Sequence, residues 1–206
     1  MYARSTSITG NTDMIDACIG FLRDEVMPAL TDMDGWRGLS LLVNRDSGRC
    51  IATTSWQSEE AMLATDRAVS PFRARASELM GGGATVQEWE IAVRHREHDA
   101  REGSWCRVTW LAGEPSEIDT TVDFFKDTVM TRLEATDEFC SASMLVNRET
   151  GECCGTARFD TRAALEATRE LAGAMREQRS RSAGVEFTDV DEFELVIAHL
   201  RVPELV

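Results

Sequence analysis

The chain says much of itself twice. Phe21-Leu-Arg-Asp-Glu-Val-Met-Pro-Ala-Leu30 returns as Phe124-Phe-Lys-Asp-Thr-Val-Met-Thr-Arg-Leu133, and Leu41-Leu-Val-Asn-Arg-Asp-Ser-Gly-Arg-Cys50 returns as Met144-Leu-Val-Asn-Arg-Glu-Thr-Gly-Glu-Cys153. Both offsets are 103, half of the 206 residues. Laid without gaps on residues 105–183, residues 2–80 give 24 identities in 79 positions. Chance similarity does not hold one register over so many elements. Near the end the offset becomes 104, where Glu88-Trp-Glu-Ile-Ala-Val-Arg-His95 meets Glu192-Phe-Glu-Leu-Val-Ile-Ala-His199. A tandem duplication must fold as two copies of one unit. We expect repeats at 1–95 and 104–206, joined by a polar linker at 96–103.

Each element is sampled twice, which sharpens its reading. Residues 2–9 and 105–112 alternate and are rich in Thr, Ser, Val and Trp, so they predict strands. Ile15, Ile19, Leu22, Val26 and Leu30 recur at helical spacing, as do Ile118, Val122, Phe125, Val129 and Leu133. Residues 36–44 and 48–57 flank Asn44-Arg45-Asp46-Ser47-Gly48, a hairpin turn with a glycine for positive φ. A second helix is predicted at 58–79, interrupted at Pro71 and closed by Gly81-Gly82-Gly83, before a last strand at 85–95. The order βαββαβ makes each half a ferredoxin-like α+β unit with both helices on one sheet face. The bare face needs a partner. Two halves packed sheet to sheet would close a pseudo-dimeric α+β barrel within one chain, with any higher oligomer left open.

Composition narrows the partners. Acidic residues exceed basic ones by 36 to 22, a net charge of −14, which argues against nucleic acid and against an anionic membrane surface. No run approaches a membrane span, and residues 1–30 carry no uninterrupted apolar stretch of a signal peptide. The six cysteines form no C-x-x-C pair and read as reduced thiols of a cytoplasmic protein. Adjacent Cys153 and Cys154 point to opposite faces of a strand, which disfavours a redox pair.

A family resemblance rests on Trp56-Gln-Ser-Glu-Glu-Ala61, Ser70-Pro-Phe-Arg73 and Glu88-Trp-Glu90. These resemble the antibiotic biosynthesis monooxygenase-like group of dimeric α+β barrels across the whole first half, and the second half joins through the repeat. The resemblance implies two ferredoxin-like units in one barrel and ligand pockets between sheet and helices. Relatives of this kind include cofactor-independent monooxygenases acting on polycyclic aromatics and haem-degrading enzymes. Haem-degrading members carry an Asn on the first strand and a His and Trp on the second helix. Here neither first strand has Asn, and neither 58–79 nor 161–182 has His or Trp. No cofactor is expected.

Strand parity groups the candidate residues. Trp89, Ile91 and Val93 alternate as an apolar set, as do Cys106, Val108 and Trp110, so both sets are expected to face the helices. Arg4, Glu88 and Glu90, with Arg107, Glu192 and Glu194, then fall on the barrel-interior face. There Arg4 would meet Glu88 or Glu90, and Arg107 would meet Glu192 or Glu194, either as register-fixing ion pairs or as a polar substrate site. On the helix-facing side the first half offers Ala3, Ser5 and Ser7 where the second has Cys106, Val108 and Trp110. That asymmetry predicts a larger cavity in the first half, walled by Trp56 and Trp89, unless these aromatics simply fill it. His95-x-x-His98 in the charged linker lacks the convergent ligands of a zinc site, so no metal is expected. The sequence leaves open whether the chain is catalytic. One reading is a cofactor-independent monooxygenase of a planar aromatic small molecule, with no base yet assigned. The other is a non-catalytic small-molecule-binding or stress-associated module with a vestigial pocket.

Overall fold

The computed structural model describes residues 1–183 and 185–205; Gly184 and Val206, both in the second repeat, lie outside the described residues. The first repeat runs β1 (Tyr2–Thr9), α1 (Ile15–Phe21), α2 (Met27–Thr31), β2 (Trp36–Asn44), β3 (Arg49–Trp56), α3 (Glu59–Ala64), α4 (Asp66–Met80) and β4 (Ala84–Arg96). The second runs β5 (Trp105–Ala112), α5 (Ile118–Phe124), α6 (Thr131–Glu134), β6 (Phe139–Val146), β7 (Glu152–Phe159), α7 (Arg162–Ala167), α8 (Arg169–Ala183) and β8 (Glu186–Leu200). Each is the expected βαββαβ unit. The strand order β1-β3-β2-β8-β5-β7-β6-β4 closes on itself as an eight-stranded barrel.

Closure depends on the last strand of each repeat. In β4, Glu90 pairs with Val146 and Arg94 with Ser143 of β6; in β8, Glu194 pairs with Val43 and Ile197 with Leu41 of β2. The compact units of the structure are therefore not the sequence repeats. Unit 1 is Met1–Trp89 with Glu194–Val202, and unit 2 is Glu90–Phe193 with the C-terminal segment from Pro203. A repeat boundary read from sequence marks where the gene-level copy ends. It does not mark where the contacts divide.

The repeated motifs have a local physical basis. Asn44 Oδ1 accepts hydrogen bonds from Asp46 N and Ser47 N, both at 3.0 Å, and Asn147 Oδ1 accepts from Glu149 N and Thr150 N at 3.0 and 3.1 Å. The glycine ending each turn, Gly48 at φ 75° and Gly151 at φ 77°, lies against a backbone carbonyl (Gly10 and Gly113) that a Cβ would strike at 2.2 and 1.9 Å. The first long helical stretch of each repeat does not stay α-helical. It widens into a π-type turn at Leu22–Val26 and at Phe125–Met130. The apolar residues at i+3 and i+4 spacing through both stretches indicate a helix without distinguishing an α turn from a π turn.

The second helix of the first repeat breaks at Thr65, not at Pro71, which sits inside α4. Thr65 Oγ1 donates to Met62 O at 2.7 Å, and Thr168 Oγ1 donates to Leu165 O at 2.7 Å in the other copy. A buried threonine competing for the helix carbonyl ends the turn, and α4 continues through Pro71, its sixth residue. Each unit has its own helix–sheet core. In unit 1 Trp56, Leu39, Leu41 and Met80 are fully enclosed, and in unit 2 Phe159, Met144, Leu165 and Ile118 are. Among the described residues no helix is long and apolar enough to cross a membrane.

Candidate functional site

The two sheet faces carry the opposite sets from those the strand parity led us to expect. Arg4, Thr6 and Ile8 line a cavity against the helices of unit 1, and Arg107, Thr109 and Leu111 line one against the helices of unit 2. Ser5 and Trp89 lie on the face turned away from the helices, where Trp89 Nε1 donates to Ser5 Oγ at 2.9 Å. Ser7 shares that face by alternation along β1, half-buried. Trp56, by contrast, belongs to the helix-side core and donates from Nε1 to Thr54 Oγ1 at 3.0 Å. Trp56 and Trp89 therefore wall no common pocket.

Two physical facts explain the inversion. Both faces of a closed barrel strand are buried, so hydrophobicity alone does not choose between them. The arginines can face the helices because their aliphatic stems pack in the apolar layer while the guanidinium reaches its edge. In addition, β4 carries a bulge between Ile91 and Val93. Val93 joins the helix-side core of unit 2, whereas Ile91, opposite Leu145, stays on the other face. Trp89, Ile91 and Val93 do not form one stripe.

The ion pairs select among the expected partners. Arg4, 2% exposed, holds Glu88 at 2.6 Å, and Arg107, 7% exposed, holds Glu192 at 2.8 Å. Glu90 and Glu194 belong elsewhere, and neither they nor the two arginines form a barrel-interior site. Glu90 accepts from the hairpin residue Arg148 at 2.6 Å and Glu194 from Arg45 at 3.2 Å, each arginine also reaching a helix carboxylate, Asp119 or Asp16, at 2.9 Å. Arg107 is the more deeply anchored of the two buried arginines. It donates also to Thr168 Oγ1 at 2.9 Å and to Leu165 O at 3.0 Å, the groups exposed by the helix break. Burial raises Glu192, but hydrogen bonds from Arg169 and Arg107 outweigh it and hold the carboxyl below its ordinary range.

The helix–sheet cavity measures about 100 Å³ in unit 2 and about 70 Å³ in unit 1. The larger space is thus in the second copy, the reverse of the expectation built on Ser5 and Ser7, because those serines face away from the helices. Trp110 faces away as well, meeting Phe193 edge-on with ring centroids 6.4 Å apart. The unit 2 cavity is walled by Phe124, Phe125, Val129, Met144 and Phe187, with Arg107, Arg176 and Arg179 among its lining. The π-type turns line both cavities, through Leu22 and Val26 in unit 1 and Phe125 and Val129 in unit 2. Arg176 and Arg179, both on α8, were missed from sequence. Their signal lay in the repeat itself, since Arg179 stands opposite Ala76 and Arg169 opposite Asp66.

Other polar clusters are structural or local. His95 stacks on Phe139 in unit 2 and His199 on Trp36 in unit 1, ring planes 9° and 12° apart, so the aligned histidines repeat one aromatic contact. His95 also meets Glu97, Glu134 and Glu204, while His98 meets Asp160 at 2.9 Å, so the two histidines do not converge. His98, Cys140 and Asp160 could offer three metal ligands within 4.8 Å of one another. Burial pushes the Cys140 thiol up, which opposes the thiolate a metal takes. All six cysteines are buried and none is in a disulfide, with Cys50 and Cys106 pushed up to about 12 by burial. They are inert packing thiols.

No family model matches the chain. The chain is 47% identical over 206 residues to the uncharacterized protein Rv2557 of Mycobacterium tuberculosis (strain ATCC 25618 / H37Rv), spanning 100% of this chain and 92% of that one. Among solved structures, an anthrone oxidase-like protein superposes with a TM-score of 0.69 at 17% identity, covering 100% of this chain and 94% of that one. A ferredoxin-fold protein related to antibiotic biosynthesis monooxygenases, from Listeria monocytogenes 4b F2365, superposes with a TM-score of 0.55 at 11% identity, covering 96% of each. The chain belongs to the family of the mycobacterial protein Rv2557, and its fold is that of the antibiotic biosynthesis monooxygenase-like α+β barrels.

Proposed function

We propose that the protein binds a planar aromatic small molecule in the helix–sheet cavity of unit 2. The observation that carries this is the make-up of that cavity: flat apolar walls from Phe124, Phe125 and Phe187 beside a few polar groups, the arrangement by which small-molecule sites combine affinity with orientation. The test is calorimetric titration and thermal shift with the neutral flat probe cinnamamide, on the wild-type protein and on Ala172→Phe, which fills the cavity from α8. Binding to the wild type raises the melting temperature by mass action and is lost in the filled variant. Equal binding by both proteins, or none by either, would remove the site.

A second reading is oxygenation of the bound molecule without a cofactor, favoured by the likeness to an anthrone oxidase-like protein. Among the described lining residues of the unit 2 cavity there is no His, Asp, Glu or Cys to act as a base. An oxygenase here would depend on a substrate acidic enough to ionise by itself. Oxygen uptake above the protein-free rate with anthrone supports this second reading, and its absence leaves the binding module.

A further inference from the structure

The duplication supplies an internal control for the chemistry of the cavity. In unit 1, Arg73 is paired with Asp66 at 2.6 Å and Arg4 with Glu88 at 2.6 Å, and Asp66 also lies 3.7 Å from Arg4. Two guanidiniums face two carboxylates. The equivalent of Asp66 in unit 2 is Arg169, and the equivalent of the buried Ala76 is Arg179. Arg169 reaches across to Glu192 at 2.7 Å and shares that carboxylate with Arg107. Arg176, the counterpart of Arg73, is left with no hydrogen-bond or ion-pair partner among the described residues. Arg179 donates to Thr121 Oγ1 at 2.7 Å and lies over the Phe124 ring at 5.4 Å, with Glu117 acting on it from the start of the helix. Four guanidiniums thus stand where unit 1 has two: Arg107 and Arg169 share Glu192, Arg169 also lies 3.7 Å from Glu166, and on Arg176 Glu192 acts only at a distance.

Arg107 and Arg179 are buried and Arg176 is half-exposed beside them, and like charge partly withdrawn from water is unfavourable unless something offsets it. Desolvation, and then the nearby Arg107, hold Arg176 below the usual arginine range. The walls of the same cavity are apolar, and Arg176 stands half-exposed at it. Resting on the reading of this cavity as a ligand site, we propose that its ligand is an aromatic carboxylate, the ring seated against Phe124, Phe125 and Phe187 and the anion held by Arg176 together with Arg107 or Arg179. A guanidinium binds a carboxylate by two parallel hydrogen bonds, and Arg176 has both donors available. The unit 1 cavity, with its charges already matched, takes no such ligand.

The test compares cinnamate with cinnamamide, which share shape and differ in charge, by calorimetry at low salt. The wild-type protein binds cinnamate about tenfold more tightly than the amide, the scale of one charge-assisted contact. Arg176→Met and Arg169→Asp, the second of which gives Arg176 back the partner that Arg73 has, each bring cinnamate down to the affinity of the amide and leave the amide unchanged. Arg73→Met changes neither. Because both unit 2 positions are at least partly exposed on α8, folding is checked by melting, and salt titration of the wild type gives a reading free of mutation: the preference shrinks as salt rises. Equal affinity for the two probes, or a preference that survives Arg176→Met, overturns the carboxylate assignment while leaving a neutral ligand site standing. Failure of both probes to bind overturns the site itself.

Discussion

Unit 1 and unit 2 carry the same strands, the same helix break and the same buried arginine on the first strand, yet their helix–sheet layers differ in charge and in space. In unit 1 every cavity arginine has its own carboxylate, and the cavity is about 70 Å³. In unit 2 one aspartate has become arginine, one alanine has become arginine, and the cavity is about 100 Å³. Substitutions that keep the fold while changing the charge are what set the two cavities apart. Unit 1 keeps the bland solution of the same geometry.

The largest expected effect separates the two first-strand arginines. Arg107→Met takes one of two guanidiniums from a carboxylate only 23% exposed and removes one hydrogen bond each from the Leu165 carbonyl and the Thr168 hydroxyl, so it costs about 2–4 kcal/mol. Arg4→Met leaves Glu88, 39% exposed, free to rehydrate, and costs about 1–2 kcal/mol. Urea unfolding of both variants measures the gap. Equal losses would mean that the two anchors are equivalent.

A smaller effect tests the face opposite the helices. Unit 1 places Trp89 against Ser5 where unit 2 places Phe193 and Val108, a polar pair replaced by an apolar one. Ser5→Val leaves a buried indole N–H without its acceptor and costs about 1–3 kcal/mol, whereas Ser5→Val with Trp89→Phe installs the unit 2 solution and recovers most of it. A double mutant no more stable than Ser5→Val would show that the two copies are not interchangeable there.

The smallest effect is in pH. The folded Glu192 carboxyl is held below its ordinary value of 4.5, so the stability it contributes is complete above that value and is lost as the pH falls through the lower, folded one. Thermal melts from pH 5 down to 3 should fall less steeply for Glu192→Gln than for the wild type. Identical slopes would contradict the charge-sharing among Arg107, Arg169 and Glu192.

Much of this was legible in the chain because duplication doubles the signal. The order of elements and the hairpin turns followed from aligned motifs, and the adjacency of first and last strands placed Arg4 near Glu88 or Glu90 and Arg107 near Glu192 or Glu194 without choosing between them. Which face the arginines take did not follow. A strand buried on both sides has no polar face to read, and the bulge at Ile91–Val93 resets the alternation where sequence shows an unbroken apolar series. The Thr65 and Thr168 breaks were hidden for a similar reason, since a single buried hydroxyl ends the helix without glycine or proline. The cavity charge was visible in principle, at Asp66 against Arg169 and Ala76 against Arg179. It becomes meaningful only when the structure puts those positions beside Arg73 and Arg176.

Methyl-resolved NMR of the full chain titrated with cinnamate tests the difference between the copies most directly. Met144, Met175 and Val129 line the unit 2 cavity, and Ile8, Leu22 and Val26 line that of unit 1. Shifts that saturate with cinnamate at the first three residues, with the last three unmoved, are the expected result. Shifts at both sets, or at Ile8, Leu22 and Val26 alone, would contradict the assignment of the ligand site to unit 2.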